Sequence, residues 1–253
     1  MFDSHCHLDA REFKKDFIEV IERAKAAGVK GVVNPISDFA SNARVLELAK
    51  HFPDFVFPAL GLDPVWSLRE KDKLQAVMDL IEEKHREIVA VGEVGLDYFH
   101  IGNPALRVEQ RKNFTVFIDK AAELGLPVIV HSRLAMQDTL ETLKQAKADQ
   151  VVMHYFSGTE TEMRECVSRG YWVSFATNHC YGGEVSKRLI SKTPLENMLC
   201  ETDGPYSHPD KKGRNEPALV KRVVELVAQC HEIAFDQADL LLTQNAKKAF
   251  SIK

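Results

Sequence analysis

Met1-Phe2-Asp3-Ser4-His5-Cys6-His7-Leu8-Asp9 opens the chain, and its reading sets the architecture expected of everything after it. In an extended strand, residues two apart project to the same face. His5 and His7 therefore stand side by side, while Cys6 points the other way. Two imidazoles on one strand face can hold a divalent ion, but they can equally be solvated or hydrogen-bonded rings. The two readings separate on whether further metal-ligand residues recur at the ends of later apolar, strand-like runs.

They do recur, in a regular alternation. Strand-like runs cover 2–7, 29–36, 55–62, 88–95, 127–131, 151–154, 171–176 and 198–201, the last leading into Thr202-Asp203-Gly204-Pro205. Helical periodicity follows at 13–27, 40–51, 71–86, 104–124, 135–146, 160–169 and 184–191, then at 216–233, 235–242 and 244–250. Eight strands alternating with helices predict an α/β chain folded as a (β/α)8 TIM barrel, one domain over 1–253. An open doubly wound sheet is the alternative. No GxGxxG or GxxxxGK[ST] loop follows any strand, which counts against the nucleotide-binding versions of that sheet.

Composition narrows the class. The 253 residues are 45% hydrophobic and 28% charged, ordinary for a globular protein with a sizeable core. No apolar run approaches the roughly 18 residues that span a membrane, and no basic-plus-apolar leader precedes His5. The five cysteines are odd in number and show no CxxC spacing, so reduced thiols in a cytoplasmic protein are expected. A net charge of −4 argues against coating nucleic acid by bulk attraction, though not against handling phosphate through a local ion. No obligate protein partner is expected.

In a (β/α)8 barrel the chemistry sits at the C-terminal ends of strands. There stand His5 and His7, Glu93, His131, His154 and Asp203. A lone histidine at such a position ordinarily packs and hydrogen-bonds, and a lone carboxylate ordinarily caps a helix. Six of them at one end of one barrel point instead to one or two borderline divalent ions. Such a donor set accepts Zn, Mn, Ni or Mg to different degrees.

These residues carry a resemblance. Asp3-Ser4-His5-Cys6-His7-Leu8-Asp9, Gly92-Glu93-Val94-Gly95-Leu96-Asp97, His131-Ser132-Arg133, Phe156-Ser157-Gly158, Glu201-Thr202-Asp203 and Arg214-Asn215-Glu216-Pro217 together resemble the TatD family of metal-dependent deoxyribonucleases. That family is a branch of the amidohydrolase-like hydrolases. The resemblance runs from residue 2 to about 250, with the motifs in family order. It implies divalent ions held by His5, His7, Glu93, His131, His154 and Asp203, and hydrolysis of phosphodiesters in DNA. Two positions depart from the family. Asp63 stands in Gly61-Leu62-Asp63-Pro64 where a phosphate-facing histidine is usual, and Tyr155 replaces the usual glycine before Phe156-Ser157-Gly158.

The groups suggest roles. Glu93 can bridge two ions, with His5, His7 and Asp203 on one and His131 and His154 on the other. Asp203 can take the proton of an attacking water, which makes Glu93 and Asp203 the catalytic candidates. Substrate-facing candidates are Asp63, Arg133, Ser157, Gly158, Arg214 and Asn215, with Trp66, Tyr98 and Phe99 as rings on which a base can stack. The expected activity is an exonuclease on single-stranded DNA ends. The alternative is hydrolysis of an amide, ester or lactone at the same ions, kept open by the carboxylate of Asp63.

Overall fold

Aliphatic runs become short parallel strands, and the amphipathic stretches between them become helices laid against the outside. A computed structural model describes residues 1–253. In chain order the elements are α1 (Phe17–Ala26), β1 (Val32–Asn34), α2 (Phe39–His51), β2 (Val56–Leu60), α3 (Trp66–Arg69), α4 (Leu74–Lys84), β3 (Ala90–Asp97) and α5 (Pro104–Leu124). Then follow β4 (Val128–Arg133), α6 (Met136–Gln145), β5 (Val151–Met153), α7 (Glu160–Ser168), β6 (Trp172–Phe175), α8 (Gly183–Lys192), β7 (Met198–Cys200), α9 (Val220–Cys230) and α10 (Phe235–Ala249). The strands pair in sequence order, β1 to β7, all parallel.

The eighth position of the ring is filled by residues 2–7, expected as a regular strand. Only the Asp3–Val32 bridge is regular. Backbone bonds nevertheless tie this segment to both edges of the sheet. Asp3 and Cys6 donate to Gly31 and Val33 on one side, and Ser4 and His7 donate to Cys200 and Gly204 on the other. The ladder is irregular because a side chain intrudes. The amide and hydroxyl of Thr202 donate to the Asp3 carboxylate at 2.9 and 2.5 Å instead of to a backbone carbonyl. The segment closes the sheet into a barrel of the TIM type.

Side-chain alternation explains where the chemistry lies. Phe2, Val33, Ala59, Ala90, Ile129, Val152 and Leu199 form one buried cluster, plugged by Ala246, Ala249 and Phe250 at the end of the chain. Nearly every strand of the ring contributes one side chain, so this cluster is the floor of the barrel interior. Two residues further along, on the same face, stand His131, His154 and Glu201. Glu93 lies three beyond Ala90 and breaks that parity, and the register of β3 against β4 shifts between Val91 and Val94 to absorb the extra residue. Glycine is required just past this bulge. A Cβ on Gly95, whose φ is +143°, would lie 2.1 Å from the His131 carbonyl oxygen.

The helices pack outside, where residues such as Phe114, Phe117 and Ile118 of α5 are buried. Each such side chain contributes about 1.5–3 kcal/mol. Four helical expectations change, the first being that 13–27 is helical only from Phe17 to Ala26. The stretch 71–86 begins as a 3₁₀ turn, Lys71–Lys73, and 216–233 likewise begins with Pro217–Leu219. The pair expected at 235–242 and 244–250 is one helix, α10, because the Thr243 hydroxyl finds its acceptor inside the helix, on Asp239 at 3.0 Å. No helix is long and apolar enough to cross a membrane.

Candidate metal centre

His5 and His7 leave the closing segment, Glu93 leaves the bulged β3, and His131, His154 and Asp203 come from the ends of β4, β5 and β7. All six sequence-read ligands meet above the apolar floor. The Nε2 atoms of His5 and His7 face each other at 3.2 Å. Oε2 of Glu93 lies 3.3 and 3.6 Å from them, and Oδ1 of Asp203 lies 3.8 and 3.6 Å from them. Nε2 of His154 is 3.9 Å from Asp203 Oδ1 and 3.8 Å from Glu93 Oε1. Ligands about 2.1 Å from a tetrahedral ion stand about 3.4 Å apart, so these spacings suit ion coordination. Imidazole nitrogens and carboxylate oxygens are the donors that borderline divalent ions take. Beyond Glu93, Nδ1 of His131 lies only 2.6 Å from Oε1, a hydrogen bond whose proton an ion would displace.

The electrostatics follow from burial and charge. Burial alone would raise the Glu93 pKa, but the imidazoles of His154, His131 and His5 outweigh it and hold the carboxyl well below the usual carboxylate range. Burial pulls His7 down, yet the carboxylates of Asp203 and Glu93 prevail and lift it to about 9. Burial likewise opposes, and Asp97 and Glu93 raise, the pKa of His131. His5 goes the other way, lowered by burial and by the charge of His154, whose ring stacks on it at 3.4 Å. A proton on His7 must leave before an ion binds there, so ion affinity is expected to rise with pH up to about 9. Calorimetry in buffers of different ionisation enthalpy checks this. Proton release on ion uptake at neutral pH is the expected result, and uptake without it would contradict a protonated His7.

Two further carboxylates stand beside the candidate ligand rings, and sequence reasoning gave neither a role. Oδ2 of Asp97 lies 3.2 Å from Nε2 of His131, and Oε1 of Glu201 lies 2.7 Å from Nδ1 of His154. Glu201 is itself held by the Ser174 hydroxyl at 2.5 Å and the Tyr155 amide at 2.7 Å. Such outer carboxylates fix ring orientation and raise ligand basicity. Glu201→Gln is expected to weaken ion affinity about 10–100-fold while the fold persists. Ion titration of the metal-free variant checks it, and wild-type affinity would mean that Glu201 only packs.

The substrate-facing candidates scatter. The half-buried carboxyl of Asp63 accepts the Val65 amide at 2.8 Å, capping the turn into α3. Burial pushes its pKa up to about 6, against the charge of His131 and with that of Glu93. Arg133 is exposed, and its guanidinium lies over the Phe99 ring, 4.0 Å from the centroid. Ser157 is exposed and Gly158 half-buried, but the start of α7 is already satisfied by a capping box between Thr159 and Glu162. Arg214 is committed to both oxygens of Asp16, at 2.7 and 2.6 Å. Asn215 is fully buried, its amide donating to Thr177, Thr202 and Tyr206, so it fixes the loop after β7 and does not face the centre. Tyr155 adopts φ +47°, the left-handed backbone that explains glycine as the usual residue there. Its hydroxyl lies 2.6 Å from that of Ser207.

A model of the TatD related DNase family matches residues 2–251. The chain belongs to the TatD family. This TatD chain is 35% identical to the "Uncharacterized metal-dependent hydrolase YabD" of Bacillus subtilis, over 100% of its own length and 99% of that protein. It is 34% identical to human "Deoxyribonuclease TATDN3", over 99% of itself and 94% of the relative, and 32% identical to the "3'-5' ssDNA/RNA exonuclease TatD" of Escherichia fergusonii, over 90% of each. The crystal structure of the TatD homolog YJJV from Escherichia coli superposes with a TM-score of 0.92 at 28% identity, over 100% of this chain and 98% of that one. The protein is a TatD-family metal-dependent hydrolase.

Proposed function

We propose that this TatD hydrolase cleaves phosphodiester bonds at single-stranded DNA ends, acting as an exonuclease with two divalent ions. The observation that carries the reading is the position of Glu93. One oxygen faces His5 and His7 at 3.3 and 3.6 Å, and the other faces His131 and His154 at 2.6 and 3.8 Å. A carboxylate presenting its two oxygens to two imidazole pairs is suited to bridging. In this reading Asp203 joins the His5–His7 side and His154 the His131 side. Bound ions supply activation of a water and neutralisation of phosphoryl charge.

The protein's own groups do the rest. Asp203, its side chain 13% exposed, receives the proton of the attacking water. Asp97 and Glu201 hold the His131 and His154 rings against rotation. The guanidinium of Arg133, which makes no ion pair within the chain, offers a two-pronged contact to phosphate. DNA is the proposed substrate, supported by the activities that the human and Escherichia fergusonii relatives are named for.

A second reading has one observation in its favour. The Asp63 carboxyl lies within the electrostatic reach of His131 and Glu93, where its charge would repel a phosphate and not a neutral carbonyl group. Turnover of a chromogenic phosphodiester, measured beside amide and lactone substrates on the same ion-loaded protein, separates the two. Diester hydrolysis alone supports the nuclease, and carbonyl hydrolysis alone would replace it.

A further inference from the structure

Two aromatic rings beside the centre stand out in solvent although their backbones are tied down. Phe99 is 57% exposed and Tyr206 is 51% exposed. The turn bearing Phe99 is pinned on both sides, the Tyr98 amide donating to the Arg133 carbonyl at 2.9 Å and the His100 amide to Asp97 at 2.8 Å. Tyr206 is pinned in the same way, its amide donating to Asp203 at 2.9 Å and its carbonyl accepting from Asn215 at 2.7 Å. A ring held into water by a fixed backbone buries little in the fold itself. The fixed backbone leaves such a ring free to offer its face to a ligand.

The rings sit on opposite sides of one rim. Phe99 follows β3 and is covered by Arg133 from the end of β4, whereas Tyr206 follows β7, next to the closing segment. In ring order these two strand pairs lie across the barrel from each other. Tyr206 touches the ligand cluster directly, and Phe99 is linked to it only through Asp97. The Tyr206 ring meets His7 edge-on at 5.9 Å, and Asp97, which pins the Phe99 turn, contacts His131.

We propose that Phe99 and Tyr206 are stacking platforms for the two bases on either side of the scissile phosphate, with Arg133 contacting the backbone phosphate next to the Phe99 base. This rests on the nuclease reading and deepens it, because every base has a face to stack but only unpaired bases can offer it. The platforms thereby select single strands and frayed ends over intact duplex, and they tolerate any base sequence.

The test uses ion-loaded protein and single strands in which one base, on either side of the cleaved bond, is replaced by an abasic site. In wild type each replacement lowers kcat/KM about tenfold. Phe99→Ala is expected to lose that sensitivity on one side only and Tyr206→Ala on the other, while Leu134→Ala, at an exposed residue of the same rim, keeps both. Wild-type sensitivity at both positions in both variants would overturn the proposal. If wild-type protein cleaves no strand at all, the nuclease reading falls. Anisotropy of a labelled oligothymidylate on the same proteins then decides the platforms: weaker binding by both variants supports them, and unchanged binding refutes them.

Discussion

Glu93→Gln is expected to remove bound ion and turnover together, with activity falling on the order of a thousandfold or more. The expectation follows from how much converges on one carboxylate. Glu93 is buried, faces four imidazoles, and is kept ionised by them against the cost of its own burial. Glutamine keeps the shape but presents an NH₂ where an acceptor is needed, and it removes the charge that offsets the cations gathered there. The two His pairs then lose their common partner, and neither keeps a carboxylate on both sides. Elemental analysis of the purified variant, read beside turnover of a phosphodiester, checks this. A variant with wild-type ion content and rate would show that Glu93 does not join the two halves of the centre.

Asp203→Asn is expected to separate holding the ion from using it. His5 and His7 on one side, His131 and His154 on the other, and Glu93 between them remain to bind, so ion content should fall far less than activity. Turnover should drop about a hundred- to ten-thousandfold, the range that a lost general base costs. Asp203 stands at the left-handed φ of +57°, a conformation that Asp and Asn tolerate better than most residues, so the swap leaves the turn intact. Its amide donates to the His5 carbonyl at 2.9 Å, a bond the substitution keeps. Parallel measurement of kcat and ion content decides the role. Loss of ion in proportion to rate would make Asp203 a ligand before it is a base.

Much of this site is legible in the residues because strand periodicity carries it. His131, His154 and Glu201 each stand two residues beyond an interior aliphatic side chain, so strand ends and side-chain parity together locate the interior face. Glu93 breaks that parity, so its place at a strand end is legible but its inward direction is not. The bulge that turns it inward depends on the approach of β4, which no local pattern encodes. Asp97 and Glu201 could be read as strand-end carboxylates but not as partners of particular rings, since the pairing is set by neighbouring strands. Arg214 and Asn215 look like substrate contacts in sequence because they are polar and follow the last strand. Their partners Asp16 and Thr177 lie far away in the chain, and only the fold shows those donors already satisfied. Tyr206 has the opposite history. Nothing local distinguishes it, and its exposure beside His7 arises from the pinned loop around it.

The helices show the same division. The limits of α5 follow from Asn103 as its cap, Pro104 in its first turn and Gly125 in the left-handed conformation at its end, all signals carried by single residues. The break expected near Thr243 is absent because a helix packed on the barrel floor gains more from continuing than a threonine costs.

The central claim is metal-dependent cleavage of single-stranded DNA, and end-labelled single strands incubated with the purified protein test it most directly. The reaction is run in EDTA and again with magnesium, manganese or zinc restored. The account predicts no cleavage in EDTA and, with an ion present, a ladder shortening from one end that Asp203→Asn suppresses. An intact strand in the presence of protein that demonstrably carries its ions would contradict it.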